Sequence, residues 1–142
     1  LTCVAASEAG LAVGQLGDGV AVAGLEPGEL FIAAPPQRGE YANETYFLTQ
    51  AEALQQVDVR YYPRPVRMVA AMTDGLTRLA VQMALNEPHL PFFQPLLAFA
   101  AGADDEAEAQ SQLAAFLASE RVCARTDDDK TLVLALRRSR AS

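Results

Sequence analysis

The sequence predicts an α+β protein in which strands come first, helices follow and one last strand closes the chain. Short apolar runs bounded by Gly, Pro, Asp and Ser turns fill the first half. At Asp74 the apolar pattern changes to helical spacing, and after a final acidic loop the β-type run TLVLALR returns. Strands and helices thus occupy separate stretches rather than alternating, which favours antiparallel sheets with helices packed on them.

Residues 1–6 and 10–16 are apolar and β-compatible, and Ser7-Glu8-Ala9-Gly10 between them suits a tight reversal, so a hairpin is expected. The second strand ends at Gly17-Asp18-Gly19, where glycines flanking an aspartate permit a turn and close approach to a ligand. VAVAG resumes the β pattern, Glu26-Pro27-Gly28-Glu29 turns the chain again, and LFIAA follows. The expected result is a meander of four short strands. Residues 35–43, PPQRGEYAN, are rich in turn formers and predict an exposed loop running into YFLTQ. A helical turn at AEALQQ then precedes two more strands, VDVRYY and PVRMVAAM, separated by Pro63-Arg64-Pro65.

GLTRLAVQMAL places Leu76, Leu79, Ala80 and Met83 at helical spacing, with Thr73 or Asp74 positioned to cap the first N–H groups. PFFQPLLAFAAG predicts an apolar helix with Pro91 in its first turn and a bend or restart at Pro95. DDEAEAQSQLAAFLAS has acids in its first turn and Leu113, Phe116 and Leu117 on one face, the pattern of an amphipathic helix. TLVLALR is expected to be the closing strand, with residues 138–142 expected as a frayed polar tail.

A chain of 142 residues, 51% hydrophobic and 20% charged, suits a single packed domain, and no repeat or linker divides residues 1–142. The net charge of −7 and pI near 4.6 exclude a protein that grips nucleic acid or anionic lipid through broad positive potential. Apolar residues never run uninterrupted for the roughly eighteen positions a membrane helix needs, and LTCVAASEAG lacks the basic start of a signal peptide. The expectation is a cytoplasmic protein with no membrane and no nucleic-acid partner.

Cys3 and Cys123 are far apart and lack CxxC or His spacing, which argues against a disulfide framework or a zinc site and for buried free thiols. His89 lies among prolines and aromatics in NEPHLPFF and reads as a loop or packing residue. No Ser or Cys motif accompanies it, so nucleophilic catalysis has no support.

The acidic turns are the chemically informative feature. Taken singly, an Asp-Gly pair after a strand is more often a turn or helix cap than a ligand, and three adjacent aspartates are more often a solvated loop. Together, Asp18, Asp74 and the run Asp127-Asp128-Asp129 mark three acidic turns at strand edges. Carboxylates held in that way suit Mg2+ or Mn2+, hard ions that prefer oxygen ligands.

On these residues the sequence resembles the type-2C, or PPM, metal-dependent serine/threonine protein phosphatases, especially their short bacterial members. VGQLGDGVAVA matches the family's Gly-Asp turn, AAMTDGLTRLA its TDG strand-to-helix segment, and TDDDKTLVLAL its closing aspartate motif and strand. GEYANETYFLT is also similar to bacterial members, and order and spacing fit from residue 1 to about residue 137.

The resemblance implies a four-layer α-β-β-α sandwich of antiparallel sheets with a binuclear metal centre at one end. It places metal-ligand roles on Asp74 and on Asp128, because Asp128-Asp129-Lys130-Thr131 overlays the family's Asp-Asn-x-Ser/Thr pattern; Asp127 takes the second role if the register slips by one. Asp18 falls where a weaker third metal is held. That third ion is conditional, because Arg78 stands where eukaryotic relatives often carry an acid. The implied activity is hydrolysis of phosphoserine or phosphothreonine on a protein by water activated between two Mn2+ or Mg2+ ions, without a covalent phosphoenzyme. Arg38, in the loop before GEYANET, is a candidate phosphate or substrate contact, set against the plainer reading of a solvated loop arginine.

The family's acidic first strand and DGxGG-type motif have no match, so the chain is expected to be the C-terminal portion of the domain, weakly active or inactive by itself. The competing expectation is a noncatalytic phosphatase-like module that binds a phosphoprotein or regulatory partner without turnover.

Overall fold

Gly17-Asp18-Gly19 carries the chain from one β-sheet to another, and the architecture follows from that crossing. The computed structural model describes residues 1–25, 29–37 and 46–137. In chain order the elements are β1 (Thr2–Ala6), β2 (Leu11–Gln15), β3 (Val20–Gly24), β4 (Leu30–Ala34), α1 (Ala53–Gln56), β5 (Asp58–Tyr62) and β6 (Met68–Met72). A single 3-10 turn (Asp74–Leu76), α2 (Thr77–Ala80), β7 (Val81–Gln82), β8 (Glu87–Pro88), α3 (Leu90–Ala101), α4 (Glu106–Leu117), α5 (Glu120–Cys123) and β9 (Leu132–Leu136) complete it.

β1 and β2 form the expected hairpin, with Thr2 opposite Gln15 and Ala6 opposite Leu11. Its turn closes as the Ser7 N–H donates to the Gly10 carbonyl at 2.9 Å. Gly10 has φ +154°, and a Cβ there would run into the Tyr62 carbonyl, so the bend requires glycine.

The expected four-strand meander does not form. β2 pairs with β1 and β5 in one antiparallel sheet, whereas β3 lies between β4 and β6 in a second sheet of order β4-β3-β6-β9. The physical reason lies in β3, which is buried along its whole length. Val20 and Val22 face the helices, and Ala21 and Ala23 face the first sheet. A strand that is apolar on both faces is stable only between two covering layers.

Two cores result. Between the sheets, Leu11 and Val13 of β2 meet Ala21, Ala23, Ala33 and Val66. On the far side of the second sheet, Val20, Val22, Met68, Ala70, Met72 and Leu132 pack against Leu76, Phe93, Leu96 and Val122. Leu113, Phe116 and Leu117 of α4 join this core as the amphipathic pattern predicts. The described residues therefore form a mixed α/β structure of sheet, sheet and helices. Val59 and Tyr61, on the outer face of the first sheet, are 72% and 61% exposed, so no helical layer covers that face among the described residues.

The segment after Asp74 departs from the expected helix over residues 75–85. Helical structure stops at Ala80, and β7 and β8 form a two-stranded ribbon pairing Val81 with Pro88. Leu76 and Ala80 are buried within those two short turns, whereas Met83, which a longer helix was expected to use, is exposed. Asn86 takes φ +53°, a left-handed conformation that asparagine tolerates at the ribbon's turn.

α3 starts with Pro91 in its first turn and continues through Pro95 as one helix. His89 occupies its N-cap position, with its backbone N–H bonded to the Ala80 carbonyl at 2.7 Å. Asp105 caps α4 by accepting the Glu108 N–H at 2.9 Å. Four residues are too few to carry a helical repeat, and the sequence pattern does not predict α5.

Cys3 and Cys123 are exposed rather than buried, because Cys3 alternates outward on β1 and Cys123 ends the short α5. Residues 26–28 of the expected turn at 26–29, residues 38–43 of the expected loop at 35–43, and the tail at 138–142 lie outside the described residues.

Candidate functional site

Antiparallel pairing in the second sheet sets Val20, Met72 and Leu132 side by side, so the start of β3, the end of β6 and the start of β9 share one edge. Asp18 lies just before β3, Asp74 just after β6, and Asp128 in the turn leading to β9. One sheet edge thus gathers all three acidic turns.

Asp74 opens the 3-10 turn, and its Oδ1 accepts the N–H of Gly75 at 3.0 Å. Gly75 is pressed against the acidic loop: a Cβ there would meet the Asp129 carbonyl and lie 3.2 Å from Asp128 Cβ. The turns carrying Asp74 and Asp128 are therefore in direct contact. Thr73 fixes this contact. Its backbone N–H donates to the Thr131 carbonyl at 3.2 Å. Its Oγ1 donates to the Asp129 carbonyl at 3.2 Å and accepts the Thr131 N–H at 3.0 Å. The hydroxyl thus caps no helical N–H, contrary to one expectation, and joins the two acidic turns instead.

Asp74, Asp127, Asp128 and Asp129 are all exposed. Among the described residues none of them is in an ion pair, since the pairs there are Arg60–Asp58 and Arg137–Glu8, each at 2.7 Å. Lys130, adjacent in sequence, sends its Nζ to Cys123 Sγ at 3.6 Å. Clustered carboxylates without a compensating cation repel one another and favour an added cation.

Asp18 is held differently. Gln15, only 1% exposed, accepts from Thr2 Oγ1 at 2.6 Å and donates Nε2–H to the carbonyls of Gly17 at 3.0 Å and Gly19 at 2.7 Å. Gln37 Oε1 accepts the Gly17 N–H at 2.7 Å, and the Gln37 N–H returns to the Gly17 carbonyl at 3.1 Å. Two glutamines therefore fix the turn. At Gly19 a Cβ would lie 3.0 Å from the Met72 carbonyl, which sets this turn beside the end of β6.

The oxygen-only donor set matches Mn2+ or Mg2+ in chemistry. Among the described residues, however, no three His, Cys, Asp or Glu side chains come close enough to hold one ion. The Asp74 turn and the Asp128 loop touch, and Asp18 shares their edge without completing a cluster among the described residues. Arg38 lies outside the described residues. Arg78 is exposed on α2.

Sequence reasoning missed Gln15, Gln37 and the clamp formed by Thr73. One signal was present. Leu11, Val13 and Gln15 share the inward face of β2, and a glutamine at a core position must find buried partners.

Two antiparallel sheets with helices on one side and a carboxylate-rich sheet edge define a mixed α/β protein compatible with the phosphatase 2C architecture. The family model for Protein phosphatase 2C matches residues 1–118, and the chain belongs to that family. The match ends before the triple aspartate. Serine/threonine-protein phosphatase 3 of Escherichia coli (strain K12) is 42% identical over 129 residues, covering 89% of this chain and 51% of that protein. The chain spans about half the length of the curated relative it matches. No solved structure matches.

Proposed function

We propose that this chain contributes to a serine/threonine protein phosphatase in which Asp74 and Asp128 are ligands of a Mn2+ or Mg2+ pair and Asp18 serves a conditional third ion. One observation carries the assignment: the Asp74 turn and the Asp128 loop touch through Gly75, with no cation of the described residues paired to either. When bound, such ions lower the pKa of a coordinated water and offset negative charge on a phosphoryl group.

The chain's own residues supply position. Thr73 ties the end of β6 to the entry of β9, Gly75 lets the two loops approach, and Gln15 and Gln37 fix the Asp18 turn on the same edge. An open edge of exposed carboxylates suits a phosphoserine or phosphothreonine displayed on a protein surface better than a small buried substrate. Arg38 remains the candidate phosphate contact in this reading. The four-layer sandwich belongs to the same proposal, since exposed Val59 and Tyr61 leave the outer face of the first sheet open to a further layer.

A second reading is a phosphatase-like module that binds without turnover, favoured by Arg78 in place of an acid and by the lack, among the described residues, of any three ligand side chains grouped to hold an ion. Hydrolysis of a phosphothreonine peptide by the full-length protein separates the two. Mn2+-dependent phosphate release that Asp74→Asn lowers by about a hundredfold supports the enzyme. Peptide binding without release, in the presence of Mn2+, supports the module.

A further inference from the structure

A cavity of about 640 Å3 opens on the helical side of the second sheet, among α2, α3, α4 and α5. Buried Val81, Leu96 and Val122 contribute to its lining, together with the rings of Phe92, Phe99 and Phe116. Arg78, Arg121 and Arg125 also line it, and no Asp or Glu does. All three arginines are exposed, and among the described residues none is in an ion pair. A chain of net charge −7 thus sets three uncompensated cations around one apolar hollow.

We propose that this cavity binds a small amphipathic anion, with an acyl or aryl group against the aromatic walls and a carboxylate, phosphate or sulfonate on the arginines. The planar guanidinium fork matches such oxyanions and is only weakly hydrated, which lowers the cost of holding it beside apolar surface. The volume lies within the range of about 300–1,000 Å3 typical of small-ligand sites, which favours a compact ligand over an extended acidic peptide. The site uses α2, which follows the 3-10 turn opened by Asp74, but none of the residues that form the acidic edge, so it stands independently of the metal reading.

The test uses 8-anilinonaphthalene-1-sulfonate and its uncharged counterpart N-phenyl-1-naphthylamine as fluorescent probes. The expected result is saturable one-to-one binding of the sulfonate, weakened about tenfold or more by Arg78→Gln/Arg121→Gln/Arg125→Gln, with the uncharged probe changed by less than about twofold. Gln112→Trp, an exposed lining position, should reduce binding of both probes by filling the cavity while leaving the circular dichroism spectrum unchanged. The proposal is overturned if the sulfonate fails to saturate, or if the triple variant binds it like the parent. It is likewise overturned if Val59→Ser/Tyr61→Ser removes the binding instead, or if hexaglutamate displaces the probe as well as decanoate does.

Discussion

Thr73 and Thr131 are joined twice, the Thr73 N–H donating to the Thr131 carbonyl at 3.2 Å and the Thr131 N–H donating to Thr73 Oγ1 at 3.0 Å. This double link fastens the last residue before Asp74 to the last residue before β9. The third bond, from Thr73 Oγ1 to the Asp129 carbonyl at 3.2 Å, extends it into the acidic loop.

Thr73→Val keeps the β-branched shape and removes both hydroxyl bonds. The expected loss is about 1–2 kcal/mol of stability, because each hydrogen bond contributes about 0.5–1.5 kcal/mol net and these are partly exposed. Urea denaturation measures it, and Thr73→Ser should recover most of the loss. A valine variant as stable as the parent would show that the clamp holds nothing.

Gly75→Ala places a methyl group against the Asp129 backbone carbonyl, which cannot rotate away. A cost of about 1–3 kcal/mol is expected, as for other overpacked sites. Gly102→Ala is the matched control: its added Cβ would meet nothing nearer than 3.6 Å at an ordinary negative φ of −92°. That change should be neutral or stabilising by up to about 1 kcal/mol through the unfolded chain. Thermal denaturation of the two variants should therefore move in opposite directions, or with Gly102→Ala unchanged.

The strand runs were legible because short apolar runs bounded by turn residues mark β1, β2 and β6, and Asp74 and Asp128 were legible as strand-edge acids. The change of sheet at Gly17-Asp18-Gly19 was not, because the same turn chemistry serves a hairpin and a crossing, and only the two-sided burial of β3 decides between them. The helix expected beyond Asp74 failed for a related reason. Leu76, Leu79 and Ala80 meet helical spacing within two short turns, and Val81 then enters the ribbon with Pro88. Contact between the Asp74 turn and the Asp128 loop depends on the β6–β9 pairing across more than fifty residues, which local pattern does not specify.

Gln15→Leu fits the volume of its site but leaves the Gly19 carbonyl without its side-chain donor and Thr2 Oγ1 without its acceptor, while the Gly17 carbonyl keeps the Gln37 N–H. Each such orphan costs about 1–3 kcal/mol, so a clear fall in the urea midpoint is expected. Hydrogen exchange should quicken locally around residues 17–19. Uniform quickening with no local excess would argue against a positioning role for Gln15.

Thr77 is 8% exposed, and its Oγ1 has no hydrogen-bond partner among the described residues. Thr77→Val preserves the shape and removes the unpaired hydroxyl, so stability should rise by about 1 kcal/mol. A raised melting temperature is the expected reading, and a fall of similar size would reveal a partner for the hydroxyl.

The central proposal is that Asp74 and Asp128, put forward as ligands of the metal pair, share one of its cations. Electron paramagnetic resonance of free Mn2+ during titration measures this directly in the parent, Asp74→Asn, Asp128→Asn and the double variant. The account predicts one weak site, with Kd on the order of 1 mM, weakened about tenfold by either single change and little further by both. Asp127→Asn should leave it within about twofold. Mn2+ binding that survives Asp74→Asn and Asp128→Asn together would contradict the account.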